Sequence, residues 1–219
     1  MTRLAIETST SACAVALEVD GEVRVEVIEG ERRHTETLVP AIARLLDASG
    51  RRARDLEQIV VDRGPGLFTG LRVGLASARA LADATGADLV GVSSLELLAA
   101  GGRAVLAAGT LLAVVDARRG EVFVQAFDLA SGAALEEPHL ARPEALRERA
   151  RDVAALIGDG ARRYRDQLSD LAGVTVIDVA VPPVALALEL GRSRTGGPLS
   201  PLYLRGADAV VNFPTRERP

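Results

Sequence analysis

Apolar and polar positions alternate with a period of two over the first thirty residues. RLAIE (Arg3–Glu7) reads as a strand, TSTS as a hydroxyl-rich turn, and ACAVALEV (Ala12–Val19) as the returning strand. Asp20-Gly21 has the chemistry of a tight hairpin turn into a third strand, EVRVEVI. The period then changes. In HTETLVPAIARLLDASG, Leu38, Ile42, Leu45 and Leu46 recur at helical spacing and Gly50 closes the helix. Pro40 fits only in the first turns, where its missing N–H costs nothing. EQIVVD is a short buried strand. It feeds DRGPGLFTG, after which the pattern predicts a helix over 70–84, capped by Thr69 and ended by Gly86. DLVGV is another strand, and SSLELLAA opens a third helix that Ser93 or Ser94 can cap. The order βββαβαβα implies a mixed sheet with helices packed on it.

The pattern then starts again. LLAVVDARRGEVFVQAFDLASG reads strand, turn, strand. It is followed by RPEALRERA (helix), VAALIGDGA (strand and glycine turn), RRYRDQL (helix), GVTVIDV (strand) and PPVALALELGRS (helix). Glu7 precedes Val15 by eight residues, and Asp116 precedes Val124 by the same step. Both units thus place an acid at a strand end before the hairpin. The expectation is an α/β chain of two lobes with one topology, dividing near Gly101–Gly109 into 1–104 and 105–219.

Composition narrows the chemistry. With 219 residues, 48% of them hydrophobic, the chain can bury a sizeable core, but at 3% aromatics that core must be aliphatic. A net charge of −4 is unlike a protein whose main task is gripping nucleic acid. All 26 basic residues are arginine, which excludes a Schiff-base lysine and the lysine of a Walker A loop. Cys13 is alone, so neither an internal disulfide nor a cysteine cluster for zinc can form. No stretch is apolar enough to span a bilayer, and MTRLAIET reads as a strand rather than a leader; a cytoplasmic location is expected. Arginine runs at 32–33, 51–54, 118–119 and 162–165 are interspersed with acids and read as solvated faces.

Glycines at 64, 66, 70 and 74 allow two readings of the turn and helix that contain them. A glycine turn before a helix N-terminus can hold an anion. Alternatively Gly70, Gly74 and Ala78, at i, i+4 and i+8, form a smooth stripe flanked by Leu71 and Leu75, suited to close packing against a partner helix or against the chain's own core. Glu7, Thr8, Ser9 and Thr10 form a candidate phosphate turn. The competing reading is a polar turn whose hydroxyls serve the local backbone. His34 at a helix start and Asp116 beside Arg118 and Arg119 are open between structural and cleft-facing roles.

These segments together carry a resemblance. LAIETST, RRHTETLVPAI, GPGLFTGLRVGLASARALA, VVDARRGEVF and PLYLR occur in order along nearly the whole chain, and they resemble the TsaB (YeaZ) family of bacterial tRNA threonylcarbamoyladenosine biosynthesis proteins. Leu67 stands where that family usually has serine. The resemblance implies an actin-like ATPase (ASKHA) fold. It implies a non-catalytic subunit that pairs with and activates the TsaD threonylcarbamoyl transferase, with a TsaE-type ATPase in the same complex, tRNA contacted only indirectly, and no membrane association. The paralogue's two metal-binding histidines fall here on Ser94 and Leu98, so no metal and no cofactor bound by the chain alone are expected. ATP or ADP at the complex interface and a homodimer stay open. Partner contact is expected through Gly70, Leu71, Gly74, Leu75 and Ala78. The rival expectation is a stand-alone small-molecule kinase or ATPase of the same fold.

Overall fold

The computed structural model of the chain describes residues 1–30, 34–167, 174–197 and 199–204. Arg32, Arg33 and Arg205 of the segments named above lie outside them. Among the described residues ten strands form two five-stranded sheets.

The first sheet is built from β1 (Thr2–Glu7), β2 (Cys13–Val19), β3 (Glu22–Ile28), β4 (Gln58–Asp62) and β5 (Asp88–Val92), in the order β3-β2-β1-β4-β5. The β1-β2-β3 meander is antiparallel, and β4 and β5 run parallel to β1. Asp20 and Gly21 both take positive φ (51° and 92°), as a two-residue hairpin demands. Helices α1 (His34–Ala48) and α2 (Phe68–Thr85) cover one face. There Leu38, Ile42, Leu45 and Ala78 pack on Leu4, Ile6, Val15 and Val61. Pro40 lies in the second turn of α1, and the helix continues through it.

The second sheet repeats this plan with β6 (Thr110–Arg118), β7 (Glu121–Asp128), β8 (His139–Ala141), β9 (Ala155–Ile157) and β10 (Thr175–Ile177), in the order β10-β9-β6-β7-β8. Read from its first strand, the order is the same as in the first sheet. Helices α4 (Pro143–Arg149) and α5 (Asp159–Arg163) cover one face. Two details differ from the sequence pattern. β8 has only three half-buried residues and so no readable alternation. The helix expected over RRYRDQL begins earlier, at Asp159, and gives way to a 3₁₀ turn at Arg165–Gln167.

Helix α3 (Ser94–Arg103) joins the two halves. Ser93 caps it, accepting from Leu95 N–H, and Glu96 reaches back to the Ser93 N–H at 2.9 Å, a complete capping box. Its Leu97 packs with the first sheet, while Leu95 and Leu98 pack with the second. Helix α6 (Val184–Gly191) returns to the far face of the first sheet, with Ala187 and Leu188 against Ala5, Ala14 and Val60. Polar bonds fix it there: Arg3 Nη1 donates to Leu188 O at 2.7 Å, and Gln58 Nε2 donates to Gly191 O at 3.1 Å. Arg3 is itself neutralised by buried Glu18, which also holds Arg192 at 2.8 Å.

Candidate functional site

The parallel pair β1 and β4 sets the site. Their register matches Ile6 to Val61, so one step further Glu7 and Asp62 stand side by side at the strand ends, where open α/β sheets form their crevices. Both side chains have no solvent exposure. Glu7 Oε1 accepts from the Ser9 N–H and the Ser9 hydroxyl. Asp62 Oδ1 accepts from Gly64 N–H at 2.7 Å and from the Ser94 hydroxyl at 2.8 Å. The other oxygens, Glu7 Oε2 and Asp62 Oδ2, have no hydrogen-bond partner among the described residues. Burial, reinforced by the charge of Asp62, pushes the Glu7 carboxyl up to about 8. Burial likewise pushes Asp62 up, to about 6. At neutral pH the pair therefore retains a proton.

The candidate phosphate turn is occupied by the chain itself. Thr8 donates through its hydroxyl to Gly70 O at 2.9 Å, Ser9 bonds Glu7, and Thr10 Oγ1 accepts from Ala12 N–H at 3.3 Å. Ser9 O accepts the Leu67 N–H at 2.6 Å, so the loop before α2 lies directly on the turn. All three hydroxyl residues are buried. Of the two readings of this turn, these contacts favour the polar turn that serves the local structure, with the Thr8 and Ser9 hydroxyl protons given to Gly70 O and Glu7.

The same contact explains the glycines. A Cβ on Gly66 would fall inside van der Waals distance of Ser9 O, and one on Gly70 or Gly74 would strike Thr8. The small-residue stripe faces inward, where Leu71 and Ala78 are fully buried. The expected partner contact through Gly70, Leu71, Gly74 and Ala78 is therefore replaced by packing on β1; only Leu75, half-buried, reaches the rim. Thr69 is exposed and caps nothing: Leu67 holds the N-cap position without a side-chain bond, while Gly86 closes the helix in the left-handed region. His34 also serves the fold. Its Nε2 donates to Ala12 O at 3.0 Å, and its ring lies over Gly70.

Asp116 is buried at its strand end. Its backbone N–H donates to Asp159 Oδ1, and Arg118 and Arg163 lie 3.2 and 3.6 Å from its carboxylate. Burial raises the Asp159 carboxyl, and that residue's charge also acts on Glu7 across the two sheets. Of the positions aligned with the paralogue's metal histidines, Ser94 is committed to Asp62 and Leu98 to the core. Among the described residues no group of three or more His, Cys, Asp or Glu is placed to hold a metal ion.

The surface that α2 leaves open went unread in the sequence. Phe68 is 50% exposed, Arg72 stacks 3.8 Å from its ring centre, and the Tyr203 ring centre lies 5.4 Å from it, with Arg72 Nε donating to the Tyr203 hydroxyl at 3.4 Å. Beside them Arg72, Ala76, Arg79, Leu199 and Tyr203 line a groove of about 530 Å³. The neighbouring α1 exposes Val39, at 61%, and Pro40. The phenylalanine in GLFTG and the tyrosine in PLYLR were the available signal, but their proximity depends on Leu202 N–H bonding Arg63 O at 2.8 Å.

Two five-stranded sheets of one topology in a single chain, with acids at the ends of their strands, are a duplicated α/β architecture consistent with the actin-like fold that the resemblance implies. A family model described as TsaD, tRNA N6-adenosine threonylcarbamoyltransferase, matches residues 28–172. The chain is 31% identical to the tRNA threonylcarbamoyladenosine biosynthesis protein TsaB of Escherichia coli (strain K12), over 98% of this chain and 99% of that one. A crystal structure from Pseudomonas aeruginosa, described as an uncharacterized protein with similarity to peptidase YEAZ, superposes with a TM-score of 0.79 at 28% identity, covering 93% of this chain and 99% of that one. YeaZ from the same organism gives 0.73, covering 86% and 89%. The chain belongs to the TsaB family.

Proposed function

We propose that the chain is a non-catalytic subunit of tRNA threonylcarbamoyladenosine synthesis that pairs with and activates a TsaD-type transferase through the outer faces of α1 and α2. The family supports the pathway: its named members are tRNA threonylcarbamoyladenosine biosynthesis proteins. The match to the transferase family model supports a transferase-like partner, since related lobes offer related surfaces for pairing. The observation that carries the interface is the exposure of large apolar side chains, Val39 at 61% and Phe68 at 50%, on the contacting helices α1 and α2. An aromatic and an arginine already stacked are the residue types that dominate binding energy at interfaces.

An accessory role agrees with the site. The acids at the strand ends hold a proton and the local turns, and the hydroxyls that would meet a phosphate are committed. A stand-alone kinase would have to open the Thr8–Gly70 contact first. Nucleotide, if it enters the assembly, is assigned to the joint interface with the partner, and a TsaE-type ATPase completes the same complex. Contact with tRNA through this chain is indirect: Arg51, Arg118, Arg162 and Arg163 each face an acid of this chain within 4.0 Å. No helix of the described residues is long and apolar enough to cross a membrane, and the proposed place of work is the cytoplasm.

The test is titration calorimetry of the host's TsaD-type protein with the Val39→Asp/Ala76→Arg variant. Both positions are exposed, so the variant keeps its Tm. Affinity is expected to fall by roughly tenfold or more. Unchanged affinity with unchanged folding would overturn the proposed interface.

A further inference from the structure

Among the described residues five arginines are buried or half-buried: Arg3, Arg51, Arg63, Arg149 and Arg194. Arg3 faces Glu18, Arg51 faces Asp20, Arg149 faces Glu136 and Arg194 faces Glu96. The Arg63 guanidinium has neither an acid nor a carbonyl on it among the described residues. A cation drawn partly out of water without a counter-charge gives up hydration that no protein group replaces.

Arg63 follows the last residue of β4 and lines a polar pocket of about 420 Å³. Gly91 of β5, Glu96 of α3 and the loop 193–197 after α6 complete the lining. The acid of this pocket is already taken. Glu96 Oε2 accepts from the Ser93 N–H at 2.9 Å and from Arg194 Nη1 at 3.2 Å, and Oε1 accepts from Arg194 Nη2 at 3.2 Å. The lining therefore carries two guanidiniums against one carboxylate. The loop adds further donors: the hydroxyls of Ser193 and Thr195 and the N–H groups of Gly196 and Gly197 are bonded to no other described residue. Both glycines take positive φ, 66° and 114°, and a Cβ on either would meet nothing within 4 Å. Unlike Gly66, Gly70 and Gly74, they are needed for the direction of the backbone and not for room.

We propose that this pocket binds a phosphate-class oxyanion, free or at the end of a small molecule, with Arg63 as its main contact. A guanidinium fork matches two oxygens of a tetrahedral anion. The loop hydroxyls and glycine amides are free to take the remaining oxygens. Glu96 stays with Arg194, so the lining keeps one positive charge for the ligand to neutralise. The site is built on the α3 and α6 side of the first sheet. Neither the turn after β1 nor Val39 and Ala76 line it, so it is independent of the proposed transferase contact.

Titration calorimetry of the full chain tests this with inorganic phosphate, pyrophosphate and adenosine monophosphate, at an ionic strength held constant with sodium chloride. At least one probe is expected to fill a single site per chain. Arg63→Gln should weaken that binding by roughly tenfold or more, through loss of charge-assisted hydrogen bonds. Thr195→Glu, at an exposed loop position, should weaken it as much by repulsion. Arg54→Gln, an exposed arginine that does not line the pocket, should leave it unchanged. The Arg63 side chain bonds nothing in the chain, so Arg63→Gln should melt no lower than wild type without anion. The bound probe should raise the Tm of wild type and not that of Arg63→Gln. Tighter binding of inorganic phosphate or pyrophosphate would assign the site to a free anion, and tighter binding of the nucleotide to a carried phosphate; either supports the site. Absence of saturable binding by all three probes, wild-type affinity in Arg63→Gln, or an equal loss in Arg54→Gln would overturn it.

Discussion

Glu7 is an acid that keeps its proton at neutral pH, and this makes it a measurable feature of the folded state. In the unfolded chain its carboxyl titrates in the ordinary range near 4.5, but in the folded chain near 8. Between these values the native state binds a proton that the unfolded state has released, so stability falls as pH rises through that window. Asp62 adds the same sign over its own window, from the ordinary 3.8 to about 6. Glu7→Gln preserves an oxygen for Ser9 and removes the titration. Its Tm is expected to exceed that of wild type at about pH 8, with the two curves converging near pH 5. Melting scans across pH check this, and parallel curves would contradict it. Glu7 was legible in the sequence as an acid at a strand end before a hydroxyl-rich turn. Asp62 was not, although it too ends a strand, because nothing local says that β1 and β4 are parallel neighbours in that register.

For elements, the sequence pattern located most of the helices and strands, the three-residue β9 and β10 among them, and missed β8. β1 to β7 and α1 to α4 follow alternation, a short buried apolar run or helical spacing. β8, three residues long, has none, and α5 is moved toward the glycine turn by Asp159, which reaches back to the Asp116 N–H. α2 shows what a pattern cannot tell. Gly70, Gly74 and Ala78 announce a close approach, but spacing does not say whether the approaching surface is a partner or the chain's own β1 turn. The contact with Thr8 decides for the turn. A bulky residue at Gly74 should therefore damage the fold before it affects any partner. Gly74→Val is expected to lower stability by about 1–3 kcal/mol through overpacking against Thr8 and Ile6. Urea denaturation measures this, and a variant as stable as wild type would show that the turn yields.

On the scale of the whole molecule, the sequence showed the βββαβαβα order once and a similar strand-turn-strand pattern starting again after it; with β8 added, the structure has two sheets of one topology. The return of α6 to the first sheet was not visible. It depends on Arg3 meeting Leu188 O and Gln58 meeting Gly191 O across most of the chain length. The result is a molecule whose strand-end acids are buried beneath its own turn, and whose stacked Phe68, Arg72 and Tyr203 lie on the outside. That distribution fits a subunit that acts by contact.

The most direct test is mass spectrometry of nucleosides from total tRNA in the host, comparing cells depleted of this protein with depleted cells expressing wild type or Val39→Asp/Ala76→Arg. Depletion is expected to lower threonylcarbamoyladenosine, wild type to restore it, and the outer-face variant to fail although it is folded and present. An unchanged level of the modified nucleoside after verified depletion would contradict the assigned role. Full restoration by the variant would contradict the proposed contact through α1 and α2.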